Sequence, residues 1–331
     1  MMLVLRTLSA ATLGIALCGA CLPAMPQTTP ATAPGADARA VMATALKAFD
    51  AGETQSALQS LRPLAYGGNR EVQYLLGQML ESAPGATRLF QTEAANWYLR
   101  AAVAGHPGAM NNLAALHVDG RGVPVDYTTA RYWYERAAAI GHVLSQYNLA
   151  LLHGKGQGVP RDDRLMLLWL ERAAKSGYDR AQAQLGRVIL DGTGTASNPA
   201  KAAEWFRLAA DQGNAQAQYH LGALMQKGAG LARNLDEAQA WHKRAADQCH
   251  PLAAWELAII YEMGLGVVSD EARAVTYYKR ATMAGHAPAM ERLLQLYRDG
   301  GLGESADAAT ARIWDDRLKA ILDNKVAPPA R

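Results

Sequence analysis

Residues 107–142 read PGAMNNLAALHVDGRGVPVDYTTARYWYERAAAIGH, and their pattern recurs along the chain every 36 residues. Trp97, Trp133, Trp169, Trp205 and Trp241 keep that step, and the next one lands on Tyr277. Leu113, Leu149, Leu185, Leu221 and Leu257 form a second column, and Gly120/Gly122 through Gly264/Gly266 a third. Alanine pairs from Ala137-Ala138 to Ala245-Ala246 form a fourth. A fixed period of this length marks stacked helical units that share one continuous core.

Each unit reads as two helices. In 107–142 the first carries Ala109, Leu113, Leu116 and His117, an apolar stripe at helical spacing. It stops at Gly120-Arg121-Gly122, where glycine supplies backbone angles that L-residues resist. The next column, Asp126, Asp162, Asn198, Asn234 and Asp270, holds residue types that cap a starting helix. A second helix follows through Ala130, Trp133, Tyr134, Ala137 and Ala138, ending at Gly141. The expected fold is therefore all-α: an α/α superhelix, or solenoid, of about seven to eight helix-turn-helix repeats. The repeat domain is expected over 37–322. Its units are a degenerate 38–69, then 70–106, 107–142, 143–178, 179–214, 215–250, 251–286 and 287–322, with a tail at 323–331.

The consensus A-x-x-x-L-G-x-x-Y-x-x-G-x-G-V-x-x-D…A-x-x-W-Y-x-x-A-A-x-x-G resembles the Sel-1-like repeat, a relative of the tetratricopeptide repeat. Unit 251–286 carries it as Leu257-Ala258, Tyr261, Gly264-Leu265-Gly266-Val267, Asp270, Tyr277-Tyr278, Ala281 and Gly285. The resemblance implies an adaptor that assembles membrane or envelope complexes, not an enzyme. One branch of that family, linked to penicillin binding and β-lactam hydrolysis, carries paired cysteines in its repeats; this chain does not. A secreted virulence or toxin-neutralising factor is a further alternative.

The N-terminus differs from the repeats. Arg6 is the only charge before Asp37, and an apolar or small stretch runs from Leu8 to Cys21. A short basic start, a short apolar run and small residues describe a secretory signal peptide over 1–21. Leu17-Cys18-Gly19-Ala20-Cys21 resembles a lipoprotein box with Cys21 as the lipidated residue; Cys18 departs from that box, and cleavage after Ala20 is the alternative. Residues 22–36 carry four prolines and no charge, as an extended linker would. The expected location is therefore exported: periplasmic, lipid-anchored to the outer membrane, or secreted. Cys249 alone remains in the mature chain, so no internal disulfide is expected. A net charge of +3 gives no electrostatic case for nucleic acid.

Motifs for chemistry are missing. No serine stands three residues before a lysine, no histidine precedes a glutamate, and there is no G-x-S-x-G elbow. Catalytic residues, a bound metal and a cofactor are not expected. Gly154-Lys155-Gly156-Gln157-Gly158 imitates a phosphate loop but follows a helix and recurs with the period. His106, His142, His250 and His286 share one column at the unit junctions, too widely spaced to share a zinc ion and better read as helix-end packing. Arg100, Arg136, Arg172, Arg244 and Arg280 suit helix C-termini on a solvated face.

Two columns vary instead. Asn112, Asn148, Gln184, His220 and Glu256 precede the leucine column; one step earlier stand Asn111, Tyr147, Tyr219 and Trp255. Both lie on the first helix, which in solenoids commonly lines the concave, partner-binding groove. Trp255 falls outside the tryptophan register, so the period does not demand it, whereas Trp169 should be buried. Simple tolerance at solvated positions is the alternative. The expected partner is a protein or peptide of the cell envelope, or a glycan, with membrane contact only through the N-terminal anchor.

Overall fold

A computed structural model describes residues 35–303 and 307–322. They lie within one compact unit, Pro34–Arg331. The signal segment, Cys21, the proline-rich stretch up to Pro34 and the 323–331 tail fall outside the described residues.

The described chain forms sixteen helices and no strand ladder. They are α1 (Ala36–Asp50), α2 (Thr54–Tyr66), α3 (Arg70–Ser82), α4 (Arg88–Val103), α5 (Pro107–Asp119), α6 (Tyr127–Ala139), α7 (Val143–Lys155) and α8 (Asp163–Lys175). Then follow α9 (Asp179–Asp191), α10 (Pro199–Asp211), α11 (Ala215–Lys227), α12 (Leu235–Asp247), α13 (Pro251–Met263), α14 (Glu271–Met283), α15 (Ala287–Asp299) and α16 (Ala308–Leu322). From α3 to α14, each odd helix packs most closely on the even helix after it, then on the even helix before it. That is the connectivity of a repeat solenoid.

The turn chemistry repeats with the units. Gly120 ends α5 at φ 70°, and its N–H donates to the Leu116 carbonyl. Asp126 then caps α6, its carboxylate accepting from the N–H groups of Thr128 and Thr129. The Asp126 N–H reaches back to the His117 carbonyl at 2.9 Å and closes the loop; Asp270 repeats this with Tyr261. Gly122 has a second reason to be glycine. A Cβ there would lie 2.3 Å from the Gln91 carbonyl carbon, so the loop could not seat on α4 of the preceding unit.

Alanines hold the helices close. Ala137, Ala173, Ala209 and Ala245 are fully buried. A buried glutamine also ties each of several units to the helix before it. Gln73, Gln146, Gln182 and Gln218 donate to the carbonyls of Ala65, Ala138, Ala174 and Ala210 at 2.9–3.3 Å. Each of these carbonyls also accepts the N–H of a glycine three residues on, so the glutamine is its second donor at the helix end.

The tryptophan column is less uniform than its spacing. Trp97, Trp133 and Trp241 are buried, but Trp169 and Trp205 are only partly so. The difference lies in what covers the ring. Trp97 has Tyr66 at 5.0 Å and Arg100 at 4.9 Å, and Trp241 has both Arg207 and Arg244. Trp169 has Arg172 at 4.6 Å over one face. Beside Trp205 the arginine column holds Leu208 instead, itself 49% exposed.

Candidate functional site

The odd helices from α3 to α15 start from a row of side-chain caps, except α9, where Tyr178 makes no cap hydrogen bond. His106, His142, His250 and His286 each precede a first helix, and each Nδ1 accepts the N–H three residues on, at 3.0–3.3 Å. Asn69 and Asn214 do the same work at equivalent junctions. Only a neutral imidazole can accept through Nδ1. Burial lowers the pKa of all four histidines, to about 4 for His250, where the nearby His220 adds to the effect. Glu71, 3.0 Å from His106 Nε2, opposes the shift there.

Onto these caps fold the rings of the preceding unit. Tyr74 stacks on His106 at 4.1 Å and Tyr219 on His250 at 4.9 Å. Tyr147 meets Tyr178 edge-on at 5.3 Å, and Trp255 meets His286 at 5.0 Å while also touching Tyr278. These rings therefore join units before they face solvent. Trp255 packs against the third buried cluster of the core. The fold does use it, through its cap partner and not through the tryptophan register.

The neighbouring polar column faces outward. Asn112, Asn148, Gln184, His220 and Glu256 are all partly exposed, as are Tyr147, Tyr219 and Trp255. Asn111 is the exception and corrects its assignment as an outward contact. It is 4% exposed, and its side-chain oxygen accepts from Ser145 and from Asn148, both at 3.1 Å. With no ring at this position, a polar side chain lies inward and ties the next unit by hydrogen bonds. Further along, Gln226 donates to Glu256 at 3.4 Å, and His220 stacks on Phe206 at 4.8 Å. The exposed groups are thus held from below.

Two places in the row lack a ring, Asn111 and Ala183, and only the second is left open. Ala183 stands opposite the Asn214 cap, leaving a recess of about 230 Å³ lined also by Tyr147, Arg180, Gln184, Arg187 and Gln216. Rings meet rings at four junctions and the small side chain meets asparagine; Asn111, at the junction capped by His142, departs from the pairing. That pairing is visible in the sequence once the two columns are compared, but neither column shows it alone. The arginines three residues after the tryptophans were equally legible. They lie 4.4–5.7 Å from the column rings, which an i, i+3 spacing allows. Among the described residues, no three His, Cys, Asp or Glu side chains converge on a common metal position.

A model of the Sel1 repeat matches residues 70–106, 107–142, 143–178, 179–214, 215–248 and 251–286. The chain belongs to the Sel1 repeat family. Sel1 repeat proteins are generally protein-interaction scaffolds and typically non-catalytic. The fold is similar to a protective antigen of uropathogenic Escherichia coli with an SLR fold, at 26% identity and a TM-score of 0.73. That match covers 86% of this chain and 62% of the antigen, so this chain spans under two thirds of that relative. A Sel1 repeat protein from Oxalobacter formigenes is 27% identical, with a TM-score of 0.67 over 74% of this chain and 96% of its own. A search of curated proteins found no match.

Proposed function

We propose that this Sel1 repeat chain is an extracytoplasmic scaffold that binds a protein or peptide partner on the face formed by its first helices. One observation carries the reading. Along the stack one helical position carries a changing polar group (Asn112, Asn148, Gln184, His220, Glu256), partly exposed, and three of the five follow a ring fixed at the next unit's junction. Preorganised side chains lose less entropy on binding than free ones. Aromatic groups flanked by amides and charges suit recognition better than mere solvation. The basic, apolar start of the sequence supports export.

Two measurements test this. A photocrosslinking residue placed at Gln184 or His220 should capture an envelope protein that the same residue at Arg172, on the opposite helix of the pair, does not. Equal capture from both positions overturns the face. Mass spectrometry of the protein from its native host should place the mature N-terminus at or near Cys21. An intact Met1 terminus in the cytoplasm overturns export.

A further inference from the structure

The recess at Ala183 has the chemistry of a carboxylate subsite. Its lining contains two arginines, three amides, one tyrosine and one alanine, and no acid. The adjacent acids are already engaged. Asp179 accepts from Asn214 Nδ2 at 2.8 Å, and Asp191 accepts from Arg187 Nη1 at 3.0 Å. Arg180 is exposed, and among the described residues no carboxylate lies within ion-pair distance of it. Arg187 is steered by Gln184, whose side-chain oxygen lies 3.4 Å from its Nε, and its Nη2 is left uncommitted. The Arg180 guanidinium and the remaining Nη2 of Arg187 offer donors to the two oxygens of a carboxylate.

Size narrows the ligand. About 230 Å³ is below the roughly 300–1,000 Å³ typical of small-molecule pockets and suits a single side chain. The Ala183 methyl and the Tyr147 ring give an apolar floor and wall for the methylene stem of that side chain. The rings on this face close their own junctions, and Asn111 closes its junction through Ser145 and Asn148, so Ala183 is where an incoming side chain can take the place of a missing one. We propose that the Ala183 recess binds an aspartate or glutamate side chain of an extended peptide partner, held by Arg180 and Arg187. The proposal rests on the scaffold reading above and names what its central units recognise.

Selection of a random dodecapeptide phage library on residues 22–331, followed by titration of labelled winners, tests it. The winners should share an Asp or Glu at one position, and replacing that residue by Asn or Gln should weaken binding at least tenfold. Arg180→Gln should weaken the same peptides at least tenfold with its melting temperature unchanged. Ala183→Tyr, which supplies the ring found at 147 and 219, should close the site. Winners without a shared acid, or indifferent to Arg180→Gln, overturn the carboxylate subsite and leave the scaffold standing. No enrichment on the wild type overturns both readings.

Discussion

At the residue scale, Cys249 shows how strongly the period constrains the backbone. Its column otherwise holds Gly105, Gly141, Gly177, Gly213 and Gly285, all at φ between 84° and 93°. Cys249 adopts φ 62°, a left-handed conformation that costs an L-residue roughly 1–2 kcal/mol. Glycine relieves that strain but loses more entropy on folding, about 0.5–1 kcal/mol. Cys249→Gly should therefore raise the melting temperature slightly, whereas Cys249→Ala should not. An equal rise with alanine would trace the effect to the thiol and not to the backbone. The tryptophans separate by what covers them. Trp97, 4% exposed, should lose about 3–5 kcal/mol on truncation to alanine. Trp169→Ala should lose less, because one side of that ring already meets water. Trp255→Ala should exceed the roughly 0.5 kcal/mol of an ordinary surface change, since it removes the contacts with Tyr278 and His286. Chemical denaturation of the three variants gives the order directly, and a silent Trp255→Ala would return that ring to the free surface.

At the element scale, the helix starts fall into two classes with different pH behaviour. From α6 to α14 the second helices start from Asp or Asn, and the first helices mostly from a neutral histidine. Removing Asp126 by Asp126→Ala should cost about 1 kcal/mol, as a lost cap does. For the histidines, burial holds the folded-state pKa below the ordinary 6.5, so the unfolded chain binds more protons between the two values. Their contribution is fully present above pH 6.5 and is lost as pH falls, until it is gone below the folded value, about 4 for His250. His242, buried behind Tyr219 and also pushed down to about 4, acts in the same window. The cap carboxylates do not interfere. Hydrogen bonds from Thr129 lower Asp126 below 3.8, so its contribution persists until the pH falls below that. Replacing His106, His142, His250 and His286 with Asn, the cap already used at 69 and 214, should flatten the fall in urea midpoint between pH 6.5 and 4. His220 and His242 would leave a residual slope. An unaltered slope would exclude the caps as its source.

For the whole molecule, the period made the paired helices and their turns legible, because Gly120, Asp126 and the Trp133 column each impose a local geometry that any copy must share. The partner-facing surface was less legible, since its side chains are fixed by contacts between units. Asn111 turns inward to Ser145 and Asn148, and Trp255 is seated on a cap one unit ahead; no residue's own spacing reveals that. The same contacts decide how the stack should fail. Strong packing in the described chain runs between helices adjacent in sequence, with few longer links such as α1 on α3 and α9 on α11. Stability should then be nearly a sum of unit and junction contributions, with no single core whose loss unfolds everything. Deleting 287–331 removes α15 and α16 and uncovers the face of α14 that packs on α15. The truncated protein should melt earlier, because an end unit loses its neighbour and exposes apolar surface to water. Its ellipticity per residue should nevertheless stay close to that of the full chain, and limited proteolysis should leave 107–214 as protected as before. Collapse of the helical signal across the whole chain would mean that stability is pooled over the stack, against the contact pattern of the fold.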